Sequence, residues 1–452
     1  MLDVLHRIYG TVFRRYPVLG RMAVVVLLGE TVFAAVNNYA LSFYVVDDLG
    51  RPASVVGILV STFLVAEMLL KLPFGHLSDR YGRRRFAMYG LAACVVAPVA
   101  VCAIPAEVFA ISPALIFLAL MPLRALDGAG AAALWPPLFA AVPDHVPTQE
   151  RAAAMSVMNT AYMAGLALGP TLAGVAMKVA QAAKAPEPWV GKAPFAMVAA
   201  AAAVGALVAA RLPAFATPAR PGALAGEPAF PSIAAPCPGG SPPAAGGSGQ
   251  SRFVLGSVRL VAAVIIITLG EMFATSTIAP YLALYVREVT GMDRSNIGFL
   301  LLLLFVPAGV LGIPIGHLSD RLPRRRVVQG ALVVTAAGLW LVPACRSLWA
   351  LLLVGTVVVI GFLFGLPSWL ALITDLAPGG AEGKTMGLMA TAQGVGAFLG
   401  PVAGGLIWRF SIRGPFYLSA GMLTCAAVTA LLFIPQVAAG GAAPHAEAQP
   451  HE

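Results

Sequence analysis

Glu30, Glu67, Asp127 and Glu271 are carboxylates set inside long apolar runs, and Arg124 and Lys71 are bases placed the same way. A charge at the centre of a bilayer costs about 2.5–3.5 kcal/mol on insertion scales, so such groups face a cavity or a partner. A carboxylate held there suits reversible proton binding. Desolvation favours its neutral form and a neighbouring cation favours the ionised one. Glu30 lies about ten residues into its run, or ~15 Å deep at 1.5 Å per residue, near mid-membrane. Glu30 is therefore expected to be the proton-coupling acid, with Arg124 as the opposing cation and Asp127 the next candidate. The competing reading is a set of structural ion pairs. That reading is favoured for Glu67 and Lys71, whose i,i+4 spacing near a span end lets Lys71 snorkel while paired.

The elements that position these residues are apolar helices. Of the 452 residues, 59% are hydrophobic and 11% charged, against roughly 25% charged in a soluble domain. Runs long enough to cross a ~30 Å hydrocarbon core fall at about 20–46, 53–74, 86–106, 112–142, 152–178, 193–212, 254–286, 295–316, 327–345, 348–373, 385–408 and 414–435. The expected fold is an all-α membrane protein of about twelve transmembrane helices in two pseudo-symmetric six-helix bundles. With the N-terminus inside, 18 of the 29 Lys and Arg fall in inner segments and 9 in outer loops. The net charge of +9 is then a topology signal that puts both termini in the cytoplasm, not a nucleic-acid footprint. Five scattered cysteines show no C-x-x-C spacing, so neither a disulfide framework nor a metal site is expected. The basic N-terminus has no apolar core before a cleavage site and is not read as a removable signal peptide.

The chain repeats. Leu28-Gly29-Glu30 matches Leu269-Gly270-Glu271, and Gly50 matches Gly291, both at an offset of 241. Further on, Pro136 pairs with Pro367, Asp144 with Asp375 and Gly169-Pro170 with Gly400-Pro401, at an offset of 231. About ten residues are thus lost around the fourth span and the loop before it. Arg124 and Asp127 fall opposite Gly355 and Val358, so ion chemistry is expected in the first half. The expected organisation is an N-terminal half over 1–212, a flexible cytoplasmic linker over 213–252, a C-terminal half over 253–435 and a disordered tail over 436–452. The linker assignment rests on its Pro, Gly, Ala and Ser content.

Gly75-His-Leu-Ser-Asp79-Arg80-Tyr-Gly82-Arg83-Arg-Arg85 recurs as Gly316-His-Leu-Ser-Asp320-Arg321-Leu-Pro323-Arg-Arg-Arg326, each copy between two apolar runs. The pattern resembles the loop signatures between helices 2 and 3, and 8 and 9, of the major facilitator superfamily. The resemblance covers nearly the whole chain. Pro323 stands where the first copy has Gly82, so the loops need not bend alike. Arg124-Ala-Leu-Asp127-Gly128-Ala-Gly130 resembles the fourth-helix signature of proton-coupled members, with Asp127 where that family usually has Gln, which gives Arg124 an acid at i+3 able to neutralise it locally. Gly165-x-x-x-Gly169-Pro170-x-x-Ala173-Gly174 resembles the fifth-helix signature of the export branches. The run Gly396-x-x-x-Gly400-Pro401-x-x-Gly404-Gly405 in the eleventh span is the fuller copy. Glycine at this spacing lets helices approach closely, and proline removes a backbone hydrogen bond and bends its helix.

The resemblance implies a substrate cavity between the halves, reached by Asn37, Tyr39, Glu271 and Tyr281, with Phe43, Trp135 and Trp369 as further aromatic candidates. It also implies a conformational latch. Asp79 would engage the N-terminus of the eleventh helix near Thr385 and Asp320 that of the fifth near Ala152, with Gly75, Arg80, Gly82, Arg83, Gly316 and Arg321 shaping the loops. The function implied is proton-coupled export of small hydrophobic or cationic compounds by alternating access, close to the twelve-helix drug:proton antiporter branch. The partners would be a small-molecule substrate, protons and the lipid bilayer of the plasma membrane. The chain would work as a monomer, with the proton gradient as energy source and no cofactor. An uptake symporter for a small metabolite is the alternative, opposed by the glycine-proline runs alone. A membrane enzyme is disfavoured, because all six His lie in tails or loops. A sensor or scaffold would need an appended signalling domain, and none is evident.

Overall fold

The computed structural model describes residues 15–147, 150–213, 258–320, 322–376 and 382–434. The expected linker, apart from Pro213, and the whole expected tail lie outside these residues, and so does Arg321. Twelve long helices follow one another: α1 Pro17–Asp48, α2 Ala53–Tyr81, α3 Arg83–Ala103, α4 Pro113–Ala140, α5 Arg151–Ala182 and α6 Glu187–Ala210. Then come α7 Val258–Ile278, α8 Arg294–Asp320, α9 Arg324–Leu341, α10 Leu348–Leu376, α11 Glu382–Trp408 and α12 Gly414–Phe433. Among the described residues, 11 helices are long and apolar enough to cross a membrane, or up to 12 if the bent pair Leu282–Thr290 and Arg294–Pro307 forms one span. Helices suit that setting because they satisfy every backbone polar group internally. Large apolar side chains such as Leu118, Trp349 and Leu353 point outward, where lipid replaces water as solvent.

The repeat is visible in the helix starts. Pro17 and Val258, Ala53 and Arg294, and Arg83 and Arg324 all stand at the offset of 241. The residues lost later correspond in part to a short helix, Ala106–Ile111, whose counterpart in the second half is a single 3₁₀ turn at Val342–Ala344. Packing repeats as well. α1 lies on α5 and α7 on α11, while α3 lies on α4 and α9 on α10. The halves meet where α2 packs on α11 and α5 on α8.

Two spans depart from the expected uniform helices. The seventh apolar run, expected to be continuous over 254–286, breaks at Ala279–Tyr281 and continues as the short helix Leu282–Thr290. Pro280 lacks the amide that would carry the ladder onward and its ring crowds the preceding turn. At the equivalent place α1 stays continuous but widens into a π turn at Val36–Ala40, with a second at Tyr44–Asp48. π turns hold one residue more than the α ladder and occur often at functional sites.

Candidate functional site

Arg124 and Asp127 sit one turn apart on α4, and burial forces them together. Arg124 is 4% and Asp127 7% exposed, and Arg124 Nη1 donates to Asp127 Oδ2 at 2.6 Å. The other guanidinium arm, Nη2, donates to the side-chain oxygen of Asn37, which the first π turn of α1 turns toward α4. The Phe63 ring of α2 covers the same cation at 4.9 Å. Asn37, expected as a cavity residue, is therefore a partner of the Arg124–Asp127 pair.

Glu30 lies apart from that pair. It is 6% exposed, and Tyr162 of α5 is the polar neighbour that bears on its carboxyl. The charged group acting on Glu30 is Glu67 of α2, not Arg124 as expected. Glu67 is itself bonded to Lys71 at 2.9 Å, the ion pair read from their spacing. From Tyr162 a file of aromatic rings runs through the first half. Tyr162 meets Trp135 edge-on at 5.5 Å, Trp135 lies 5.7 Å from Phe33, and Phe33 lies 5.7 Å from Phe63. In the second half Glu271 is 3% exposed. Across from it is Gly365 of α10, where an added Cβ would stand 3.6 Å from Glu271 Oε1.

The glycine runs of α5 and α11 are close-approach surfaces. A Cβ at Gly165 would stand 2.6 Å from the Leu27 carbonyl and one at Gly169 2.7 Å from that of Thr31. Gly396 and Gly400 repeat this against Leu269 and Phe273 of α7, at 2.5 and 2.7 Å. Gly174 touches Ser295 of the other half. Both helices remain α-helical through Pro170 and Pro401.

The spacing did not single out Gly57 and Gly298, yet both make close backbone contacts between the halves. An added Cβ at Gly57 would stand 2.2 Å from the Pro401 carbonyl, and one at Gly298 2.3 Å from the Pro170 carbonyl. The two are related by the offset of 241, so the repeat itself carried the signal. Several polar bonds close the same end. Ser61 Oγ donates to Phe398 O at 2.5 Å, Ser42 Oγ to Pro280 O at 2.5 Å and Thr171 Oγ1 to Gly298 O at 3.1 Å. Arg294 pairs with Asp48 at 2.8 Å and Arg287 pairs with Asp47. These arginines entered the sequence reading only as loop charges. Tyr39 and Tyr281, expected to line a cavity, are buried in this seam. Tyr39 donates to the Arg294 carbonyl, and Tyr281 donates to Pro401 O at 2.7 Å while stacking on Trp408 at 5.6 Å. Phe43 is buried beside Tyr39, and Trp369 is buried with its indole N–H on Thr268. Of the aromatic candidates, Trp135 keeps partial exposure.

At the arginine-loop end, Gly82 takes φ +102° between α2 and α3, a conformation open to glycine and strained for other residues. Pro323, its counterpart, has φ −57°, so the two loops do turn differently. Asp79 accepts from Arg83 at 3.0 Å, and Arg83 also reaches Asp144 at 2.5 Å and the Ala140 carbonyl at the end of α4. Arg84 donates to the Ala210 carbonyl at the end of α6. The loop arginines thus cap helix C-termini, where the macrodipole favours cations. Arg80 lies over the Tyr81 ring at 5.5 Å. Gly75 and Gly387 have open space around them, and Thr385 at the start of α11 is buried. Gly316 and Asp320 lie in the last turns of α8.

Residues 22–269 and 264–451 each match the Major Facilitator Superfamily. Over 167 residues the chain is 30% identical to the multidrug resistance protein MdtG of Serratia proteamaculans, covering 36% of this chain and 40% of that one. The chain therefore spans about two fifths of the length of such curated relatives. Among solved structures, a D-xylose-proton symporter shares the fold with a TM-score of 0.69 at 13% identity, covering 92% of this chain and 97% of that one. The nucleoside transporter NupG does so with a TM-score of 0.68 at 10% identity, covering 92% and 99%. With twelve helices in two matching sets and a match across both, the chain belongs to the Major Facilitator Superfamily of membrane transporters.

Proposed function

We propose that this transporter exports small hydrophobic or cationic compounds across the plasma membrane in exchange for protons. One observation carries the reading: the buried Glu30 carboxyl has Tyr162 as its neighbour, and from Tyr162 a file of rings runs through Trp135 to Phe33. Aromatic faces attract a cation electrostatically while offering apolar surface, and an acid among them binds either that cation or a proton. Competition for Glu30 would make export and proton entry exclusive, which is what exchange requires. The MdtG name, borne by relatives matched over part of the chain, supports the same reading.

The arginine-loop end is assigned to the cytoplasm, since Lys and Arg concentrate on that side. The seam of Gly57, Gly298, Tyr39, Tyr281 and the Asp–Arg pairs then closes the outer face, and the state described is inward-facing. Asp79, bonded to Arg83 here, would exchange that partner for the N-terminus of α11 when the halves rock to the outward-facing state. The test is ethidium transport in inverted vesicles with an imposed pH gradient, beside a panel of anionic and neutral compounds. Ethidium accumulation that collapses with the gradient is expected. Uptake of a metabolite in the opposite direction, with ethidium ignored, would establish the symporter alternative.

A further inference from the structure

Beside the Arg124–Asp127 pair lies a small cavity of ≈ 10 Å³ between α1, α3, α4 and α6. Its walls include Val36, Tyr44, Pro98, Phe195, Arg124 and Asp127. A site of this size holds about one water when polar groups face it. Two of the lining side chains are almost wholly buried and carry a polar atom without a protein partner, the Tyr44 hydroxyl and Arg124 Nε. Buried polar atoms are nearly always hydrogen-bonded, to protein or to ordered water. The Tyr44 ring is fixed edge-on against Phe195 at 5.4 Å, so its place in the wall is set by packing.

Four residues along the second π turn from Tyr44 is Asp48, close enough for its charge to act on the tyrosine hydroxyl. Asp48 uses Oδ1 to hold Arg294 of the other half, whereas Oδ2 is buried without a partner. That oxygen lies against Gly191 of α6, where an added Cβ would stand 1.9 Å from it. Glycine at 191 is therefore what admits the carboxylate.

We infer that one water in this cavity joins Asp127 and Arg124 to Tyr44, and that Tyr44 and Asp48 extend the line to the outer face as the route by which protons reach Asp127. The inference rests on the proton-coupled reading above. While the seam is closed, Arg294 holds Asp48. When the halves part at that end the pair separates and Asp48 meets outside water. No hydrogen bond joins Asp48 to Tyr44 in the closed seam. A proton taken up by Asp48 therefore passes through that outside water to the Tyr44 oxygen as the Tyr44 proton moves to the cavity water and one proton of the cavity water moves to the Asp127 carboxylate. One proton has then moved inward, and no tyrosinate or hydroxide remains. The groups that bear on this line are Arg124 and Cys94 around Asp127, Cys102 beside Tyr44, and Asp47, Glu187 and Arg294 around Asp48.

The test follows the carboxyl infrared band of Asp127, assigned with Asp127→Asn, after a pH drop outside proteoliposomes holding the full chain with its outer face outward. In the wild type the band should rise promptly. In Tyr44→Phe, which keeps the ring, it should rise about 10²-fold more slowly, the scale for losing a positioned proton-transfer group. Asp48→Asn and Gly191→Ala should slow it as well. Thermal unfolding of Tyr44→Phe, unchanged from wild type, separates the relay from a folding defect. If the wild-type band fails to respond to outside pH, or responds equally fast in Tyr44→Phe, the relay is wrong. If Tyr44→Phe slows the band while ethidium export proves indifferent to the gradient, the relay stands and the coupling reading falls.

Discussion

Arg124 and Asp127 occupy the place that Gly355 and Val358 hold in the second half, and the same scaffold supports opposite chemistry there. In the first half a buried ion pair is tied to Asn37 of α1. In the second, Val358 of α10 presses against Gly338 of α9, where an added Cβ would stand 2.6 Å from its Cγ2, and Gly355 faces Leu304 at 2.7 Å by the same measure. Helix-to-helix packing is kept in both halves, down to the glycine contacts of α5 on α1 and α11 on α7. The difference teaches that duplicated backbone contacts do not require duplicated polar residues. One half is free to specialise in ions while the other supplies apolar support.

The largest effect should come from breaking the pair. Arg124→Met leaves Asp127 buried without its cation, and loss of one partner of a buried pair costs about 3–5 kcal/mol. Thermal unfolding in detergent should show that loss. The double change Arg124→Met with Asp127→Leu, which makes the first half resemble the second, should regain most stability and no gradient-driven transport. Recovery of both would mean the pair is structural.

Next come the two buried glutamates. Glu30→Gln keeps the shape but removes titration, and it should abolish ethidium export driven by the gradient while leaving expression intact. Glu271→Gln should mainly alter affinity or substrate range, because Gly355 and Val358 stand where the first half has its Arg124–Asp127 pair. Equal loss of coupling in both variants would erase the proposed division between halves. If Glu30→Gln keeps a full pH dependence, Asp127 becomes the coupling acid.

The smallest effect concerns the loops. Asp79→Asn should slow turnover and shift cysteine-labelling accessibility toward the inward-open state, whereas Asp320→Asn should do less. Pro323 gives the second loop a different turn from the one Gly82 makes. Identical behaviour of the two variants would show that the difference in turn carries no functional weight.

Much of this was legible in the sequence because membranes simplify the code. Span positions followed from apolar run length, and the Arg124–Asp127 and Glu67–Lys71 pairs followed from spacing on one helix. The repeat offsets gave the two matching sets of helices. What escaped were contacts between distant segments. Asn37 meets Arg124 only because α1 widens into a π turn, and nothing in Val-Asn-Asn-Tyr-Ala announces that. Tyr39 and Tyr281 looked like cavity residues because they are polar aromatics at mid-span. Whether such a ring lines a cavity or a seam depends on which face of the bundle is closed, and composition does not carry that. Pro280 was visible, yet its effect on the seventh span was overlooked, since the apolar run continues on both sides of it.

The π turn at Val36–Ala40 and the break at Ala279–Tyr281 stand at corresponding positions of the repeat, so the two halves interrupt the same helix at the same level in different ways. The consequence is mechanical. Each α-helical residue advances the chain by about 100° around its axis, so a surplus residue in α1 sets the register of everything beyond it. Tyr44, Asp47 and Asp48 face their present neighbours only because that surplus is there. In the second half the break at Pro280 uncouples the short helix Leu282–Thr290 from α7, so its aim is set by the seam and not by the helix below. The first half therefore transmits twist along a single rod from the Arg124 level to the Arg294 seam, and the second half meets it with a universal joint.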